Sequence, residues 1–512
     1  MTSSPDRPVA ASSETRARAE RVLAADPSTL VEALHGRAGE SGAGGDVLGV
    51  GAAASPGIGS GPLVTTFDAA LDAADRGEEP VLVLDQTGPA DEPAMRVAAA
   101  VLTSRGGLAS HAAVVARAWG LPAVCGLETL VVDEHGISVD GRRVGAGEWL
   151  TVDGSSGEVR VGRGAALLPT GLGGDWRELL ADADALAGGR PAVWANADDS
   201  EQARLAFEFG AMGVGLCRTE HQFLGARLPL FQSVLLGGAA DDAAELERLQ
   251  RDDIARLLVE AGGRPVVVRL FDPPVHEFLP KPGEPGATDA LLAAAEAWFE
   301  HNPMLGVRGV RLASVVPEVV RLQVRAAVAA SEQVRSAGTV TDLRLLVPMV
   351  AWPSEVTLVA DLVAAEAART GAAPLPVGAM VETPAAAVRS AELAGRAAFL
   401  SIGSNDLTQL TLGLSRDDTE VRLLSRYREH GLIEFSPFER LDAAVVELVE
   451  RAVADAPSAS WSLCGEHAAD EWSLRAARRA GVGVVSCSPY RVPMARLAAG
   501  RAAAADLLGE VA

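Results

Sequence analysis

Residues 377–406 read VGAMVETPAAAVRSAELAGRAAFLSIGSND. Two short apolar runs, VGAMVE (377–382) and AFLSIGSND (398–406), flank an alanine-rich helical pattern, which is the signature of a strand–helix–strand unit. Each run is apolar through its body and ends on a reactive side chain, Glu382 in the first and Asn405-Asp406 in the second. Outward from this unit the same texture recurs in PAVWANA (191–197), VGLCRTE (214–220), VVVRLFD (266–272), LRLLVPM (343–349), WSLCGE (461–466) and VGVVSCS (482–488). Eight such runs separated by helical patterns over about 320 residues predict a (β/α)8 barrel, with an open doubly wound sheet as the alternative. The largest insertion falls between the third and fourth runs. Arg218, Arg269 and Cys464 also terminate runs, and the C-terminal strand ends of such barrels carry the chemistry.

Composition narrows the class. The chain has 512 residues, enough for about three domains, and a formal net charge of −23. A nucleic-acid binder needs a basic face to displace counterions, so that class is excluded. No apolar run reaches the length of a membrane-spanning helix, and the polar start MTSSPDRPVAASSETRARAE has no secretory apolar stretch, so a cytoplasmic protein with no membrane partner is expected. Four cysteines (Cys125, Cys217, Cys464, Cys487) lie far apart with no C-x-x-C, which indicates neither a disulfide framework nor a zinc site. The single lysine, Lys281, is followed by Pro282, so there is no P-loop and an ATP site is not expected.

The rest of the chain divides into an N-terminal tail, helix and linker (1–46), a β/α domain (47–163) with helices near 91–97 and 111–119, a linker helix (164–189) and the barrel (190–512). The densest local signal is TSRGGLASHAAVVARAWGLPAVCG (103–126). Gly106-Gly107 make a turn, Ser110 caps, His111 opens a helix, and Gly120 with Pro122 closes it. Free backbone N–H groups at that helix start can cradle a phosphate carried on the imidazole. The bland alternative is a capping histidine with no chemistry.

The segment GGLASHAAVVARAWGLPAVCG resembles the phosphohistidine motif of the phosphoenolpyruvate-utilising enzymes. The likeness continues in order through ASPGIGSG, TVDGSSGEV, GLCRTEHQFL, VVVRLFDPPVHEFLP, NPMLGVRGVRL, VGAMVETPAA, FLSIGSNDLTQLTLGLSRDD, SLCGEHAAD and VSCSPYRVPMARLAA. It is nearer to the pyruvate phosphate dikinases than to enzyme I of the sugar phosphotransferase system. It implies a swivelling phosphohistidine domain followed by a phosphoenolpyruvate/pyruvate-binding TIM barrel, which agrees with the eight runs. It further implies His111 as the phosphoryl carrier and Cys464 as the proton donor to the pyruvate enolate. Arg218, Arg269, Arg308, Arg416, Gly403, Ser404, Asn405 and Asp406 are implied to bind substrate, and Glu382 and Asp406 to hold Mg²⁺. Glu466 and His467 are expected to support the thiol. Asp406 also reads as a helix N-cap before LTQLTLGL, Cys464 without the resemblance reads as a small buried hydrophobe, and an isolated arginine reads as a surface ion pair.

Two departures stand out. Only about 46 residues precede the phosphohistidine domain, where the dikinases carry a nucleotide-binding domain of ATP-grasp type, and the family's threonine two residues before the histidine is Ala109 here. The expected activity is therefore the phosphoenolpyruvate/pyruvate half-reaction through phosphohistidine. It is paired with a separate nucleotide-binding or phosphocarrier protein, and the resemblance implies a homodimer. The competing readings are a protein phosphotransferase like enzyme I and a non-catalytic phosphoenolpyruvate-binding regulator.

Overall fold

The computed structural model describes residues 12–35, 37–38, 45–88, 91–108, 110–164, 166–167, 172–281, 288–419 and 423–509. Residues 1–11 and Ala109, both singled out in the sequence, lie outside them. The eight apolar runs form eight parallel strands: Ala192–Asn196, Val214–Arg218, Pro265–Arg269, Asp342–Val347, Val377–Val381, Leu400–Gly403, Trp461–Cys464 and Val484–Cys487. They close into a barrel, the last strand pairing with the first through Ala192 opposite Val484, which rules out the open sheet. Strands buried on both faces need apolar side chains throughout, and all five residues of Val377–Val381 are buried. Inside the barrel Leu216, Val267, Leu346, Met380, Phe399 and Cys464 form one packed plug. Outside it, valine and alanine from strands and surrounding helices make the main core. The insertion after the third strand is anchored by Phe223, Phe231, Phe271 and Phe278, whose rings lie 4.7–6.0 Å apart.

Residues 47–161 build a mixed eight-stranded sheet. Its centre is parallel (Ile58–Val64, Val81–Leu84, Ala100–Thr103, Ala123–Cys125) and antiparallel strands flank it. Alternation along the central strands splits the core in two. Leu63, Val81, Val83 and Leu102 face a small three-stranded sheet (Leu130–Asp133, Gly136–Val139, Arg142–Gly145). Val64, Leu82, Val101 and Cys125 face the helices Glu92–Arg96 and His111–Trp119. A third helix on that face, Phe67–Asp75, capped by Thr66, was not expected, because its short FDAALDAAD pattern sits among strands.

Helices Ser13–Ala24 and Pro27–His35 pack on Gly174–Ala187 and on the C-terminal helix Val492–Leu508 through Val22, Leu30, Leu34, Leu180 and Leu497. Arg18 and Arg21 pair with Asp182, and Arg496 with Asp184. The chain enters and leaves the β/α domain side by side, since Arg37–Ala38 pairs antiparallel with Ala166–Leu167.

Candidate active site

The C-terminal end of the barrel opens into a cavity of about 630 Å³ whose roof is the β/α domain. The eleven side chains and glycines singled out in the sequence, namely His111, Arg218, Arg269, Arg308, Glu382, Gly403, Ser404, Asn405, Asp406, Arg416 and Cys464, all line it. Local chemistry places each. Ser110 caps the helix His111–Trp119 by accepting the Ala113 N–H, and Gly120 ends it at φ +66, so His111 stands at the first turn facing the barrel. The Thr87 hydroxyl meets His111 Nδ1 at 3.2 Å. On the other side Nε2 lies 3.4 Å from a Glu92 carboxylate oxygen without forming a hydrogen bond.

The barrel arginines are fixed by carboxylates. Arg218 donates to Asp198 at 2.9 Å, Arg269 pairs with Glu220 and, at 2.9 Å, with Asp272, and Arg308 bridges Asp272 at 2.7 Å and Asp406 at 3.2 Å. Burial in this way keeps the charges only because they are paired. His221 ties the two bodies together: its Nδ1 is 2.8 Å from Asp198, and its Nε2 is 3.8 Å from Glu92 of the roof. Burial opposes the charged form of His221, but Asp198 outweighs it and raises its pKa. Several buried polar atoms here have no hydrogen-bond partner: His111 Nε2, Glu92 Oε1, Glu220 Oε2, Arg269 Nε and Asp272 Oδ1. Such a concentration of unsatisfied groups marks a site made for a ligand.

Glu382 follows the fifth strand and is 1% exposed; it accepts the Met349 N–H at 2.5 Å. Gly403 leaves room for it, because a Cβ there would sit 2.6 Å from Glu382 Oε2. Ligand oxygens of Asp272, Glu382 and Asp406 lie within 4.8 Å of one another. Burial, then Asp272 and Asp406, push the Glu382 carboxyl well above the usual range. Burial acts upward on Asp272 too, but Arg308 and Arg269 hold it below its ordinary value. Three crowded hard oxygens, one of them without a partner, fit a divalent cation, which would relieve their repulsion. Asp272 was not foreseen as part of this set, though it lies three residues beyond the strand-end Arg269.

Asp406 is not the helix N-cap. The helix Ser404–Leu412 begins after Gly403, which puts Asp406 in its first turn, where the dipole favours a carboxylate. Gln409 links Asp406, at 3.2 Å, to the backbone N–H of Arg416, at 2.8 Å. Cys464 is buried at the top of the barrel plug, its Sγ 3.4 Å from the Ile402 carbonyl and 3.8 Å from the Ser401 hydroxyl. Burial pushes its thiol up to about 11, so it stays protonated at neutral pH. The neighbours expected to support it do other work. His467 Nε2 donates to the Pro437 carbonyl at 2.9 Å and its Nδ1 meets the Ser404 hydroxyl at 2.8 Å, which fixes the start of the helix Ser404–Leu412. Glu466 pairs with Arg491 at 2.8 Å and, across the domain interface, with Arg117 at 3.1 Å. Beside it Tyr490 abuts Gly120, where any Cβ would lie 2.4 Å from the ring.

The model of the "PEP-utilising enzyme, PEP-binding domain" matches residues 175–504 and that of the "PEP-utilising enzyme, mobile domain" residues 77–157. Pyruvate, phosphate dikinase of Rhizobium meliloti (strain 1021) is 40% identical over 515 residues, covering 94% of this chain and 56% of the relative. The chloroplastic pyruvate, phosphate dikinase 1 of Arabidopsis thaliana is 39% identical, covering 88% and 50%, and that of Oryza sativa subsp. japonica 37%, covering 93% and 53%. The chain spans about half the length of the curated relatives it matches.

Proposed function

The chain belongs to the PEP-utilising enzymes, and from that premise we propose that it is a phosphotransferase running the phosphoenolpyruvate/pyruvate half of a dikinase-like exchange through phosphohistidine at His111. Residues 47–163 are assigned as the moving carrier, 190–512 as the substrate barrel, and 1–46 with 164–189 as the segments that connect them. A separate nucleotide-binding or phosphocarrier protein is assigned the other half of the exchange.

The observation that carries this reading is the single cavity shared by a histidine on one domain and arginines, carboxylates and a protonated thiol on the other. Phosphoenolpyruvate is a small trianion, and Arg218, Arg269 and Arg308 offer fixed guanidinium forks for its phosphoryl and carboxylate oxygens. Asn405 and the Gly403-Ser404 backbone complete its bed. Asp272, Glu382 and Asp406 would hold Mg²⁺, which when bound supplies positive charge to the phosphoryl and enolate oxygens. With its proton on Nδ1 and donated to Thr87, His111 directs the Nε2 lone pair at phosphorus. The N–P bond forms as the bridging P–O bond breaks, and that electron pair leaves on the enolate oxygen. The enolate then takes the Cys464 Sγ proton at C3, giving pyruvate, and the thiolate recovers a proton from water. In reverse the same groups make phosphoenolpyruvate.

Incubation with phosphoryl-labelled phosphoenolpyruvate and Mg²⁺ tests the reading. It predicts acid-labile label on the intact protein and none on His111→Ala, and label persisting on His111→Ala would overturn it.

A further inference from the structure

We infer that Arg105 is the cation that accompanies the phosphoryl group when His111 leaves the barrel, an assignment that rests on the function proposed above. Arg105 lines the cavity and is the one lysine or arginine that residues 45–164 contribute to it among the described residues. It sits just past the strand Ala100–Thr103, its backbone N–H donating to the Asp85 carbonyl at 2.9 Å. The next residue, Gly106, has φ +104, and a Cβ there would lie 2.9 Å from Ser110 Cβ. The turn therefore folds tightly back onto the helix cap, and Arg105 and His111 occupy the two arms of one hairpin-like bend. Its side chain is exposed and makes no hydrogen bond or ion pair with the described residues.

That freedom sets it apart. Arg218, Arg269 and Arg308 are each held by one or two carboxylates, and all three belong to the barrel. They stabilise the phosphoryl group while the domains touch, and none of them moves with it. On the moving body the nearest charged neighbour of His111 is the Glu92 carboxylate, which repels a phosphoryl dianion on the ring. The helix N–H groups supply only partial charge. An uncommitted guanidinium on the same turn is the group able to offset both the phosphoryl charge and Glu92, through charge-assisted hydrogen bonds to phosphoryl oxygens.

The test uses the full chain. Phosphoenzyme is formed from labelled phosphoenolpyruvate and Mg²⁺ with a coupled dehydrogenase removing pyruvate, then stripped of substrate by rapid gel filtration, and the loss of label is timed at neutral pH. Arg105→Gln is expected to shorten the label's half-life by roughly ten- to a hundredfold, the worth of one charge-assisted hydrogen bond. Arg105→Lys should recover most of it, and the concentration of phosphoenolpyruvate that half-saturates labelling should stay that of the parent. Because the side chain is exposed, both variants should melt with the parent protein. Equal labelling and equal lifetime in parent and Arg105→Gln would overturn the assignment alone, as would a loss confined to phosphoenolpyruvate affinity. No label on the parent would overturn the proposed function and this assignment together.

Discussion

At the barrel mouth the arginines are locked in place, Arg218 on Asp198, Arg269 on Glu220 and Asp272, Arg308 on Asp272 and Asp406. The domain that roofs it holds its groups lightly. His111 has one contact at 3.2 Å and a carboxylate at 3.4 Å that is not a hydrogen bond, and Arg105 has no partner among the described residues. A body that receives a charged substrate gains from charges arranged in advance, since nothing then reorganises during the reaction. A body that carries a group between sites gains from contacts it can exchange.

The sharpest way to break this contrast is His111→Asn. It should abolish phosphoryl labelling while leaving the melting temperature and the barrel's binding of pyruvate unchanged, as read by calorimetry. Next in size is Cys464→Ala, which removes the proposed proton donor. Pyruvate formation and solvent deuterium exchange at pyruvate C3, followed by NMR, should fall by about 10²–10⁴, while a single round of labelling from phosphoenolpyruvate survives. Asp272→Asn should weaken divalent-metal binding by roughly 10–100-fold, measured by Mn²⁺ titration, because it takes one negative charge out of the Asp272, Glu382 and Asp406 cluster.

Arg117→Met tests the interface itself. It removes the Arg117–Glu466 link but leaves Glu466 with Arg491, so the docked arrangement should lose about 1.5–3 kcal/mol. Small-angle scattering should then show expansion, and a double-mutant cycle with Glu466→Gln should show coupling. Acid gives the smallest effect near neutrality. Burial pushes the Glu466 carboxyl up, but Arg117 and Arg491 outweigh it and bring it to about 2. Its pKa when docked is thus below the free value of about 4.3. The link is complete above about pH 4.5 and is lost as pH falls through 2, so docking measured from pH 5 to 8 should be flat on this account.

The barrel was legible because its strands are short apolar runs that each stop at a charged or reactive residue, a pattern that fixes both strand and rim. Arg218, Arg269, Glu382, Asn405-Asp406 and Cys464 on that rim were legible for the same reason, and Asp272 was within reach of the rule, whereas Arg308 and Arg416 lie outside the strands and came only through the resemblance. Helix Phe67–Asp75 was not, since nine residues between strands carry too little periodicity to announce themselves. The N-cap reading of Asp406 misses by about one turn, because the helix starts at Ser404 rather than after Asp406. Glu92 facing His221, and Arg117 reaching Glu466, come from docking two distant surfaces, which no local pattern encodes. The same holds for Glu466 and His467, adjacent to the thiol in sequence yet turned to other partners around Gly465, whose φ of +132 lets the chain change direction.

The short ribbon formed by Arg37–Ala38 and Ala166–Leu167 means that the β/α domain hangs from two strands instead of one. A single tether permits spinning and tumbling. A pair of strands bonded edge to edge behaves like the leaf of a door hinge, stiff against torsion and compliant in one direction. If residues 47–163 move as proposed, such a ribbon would make the outbound and return paths of His111 coincide.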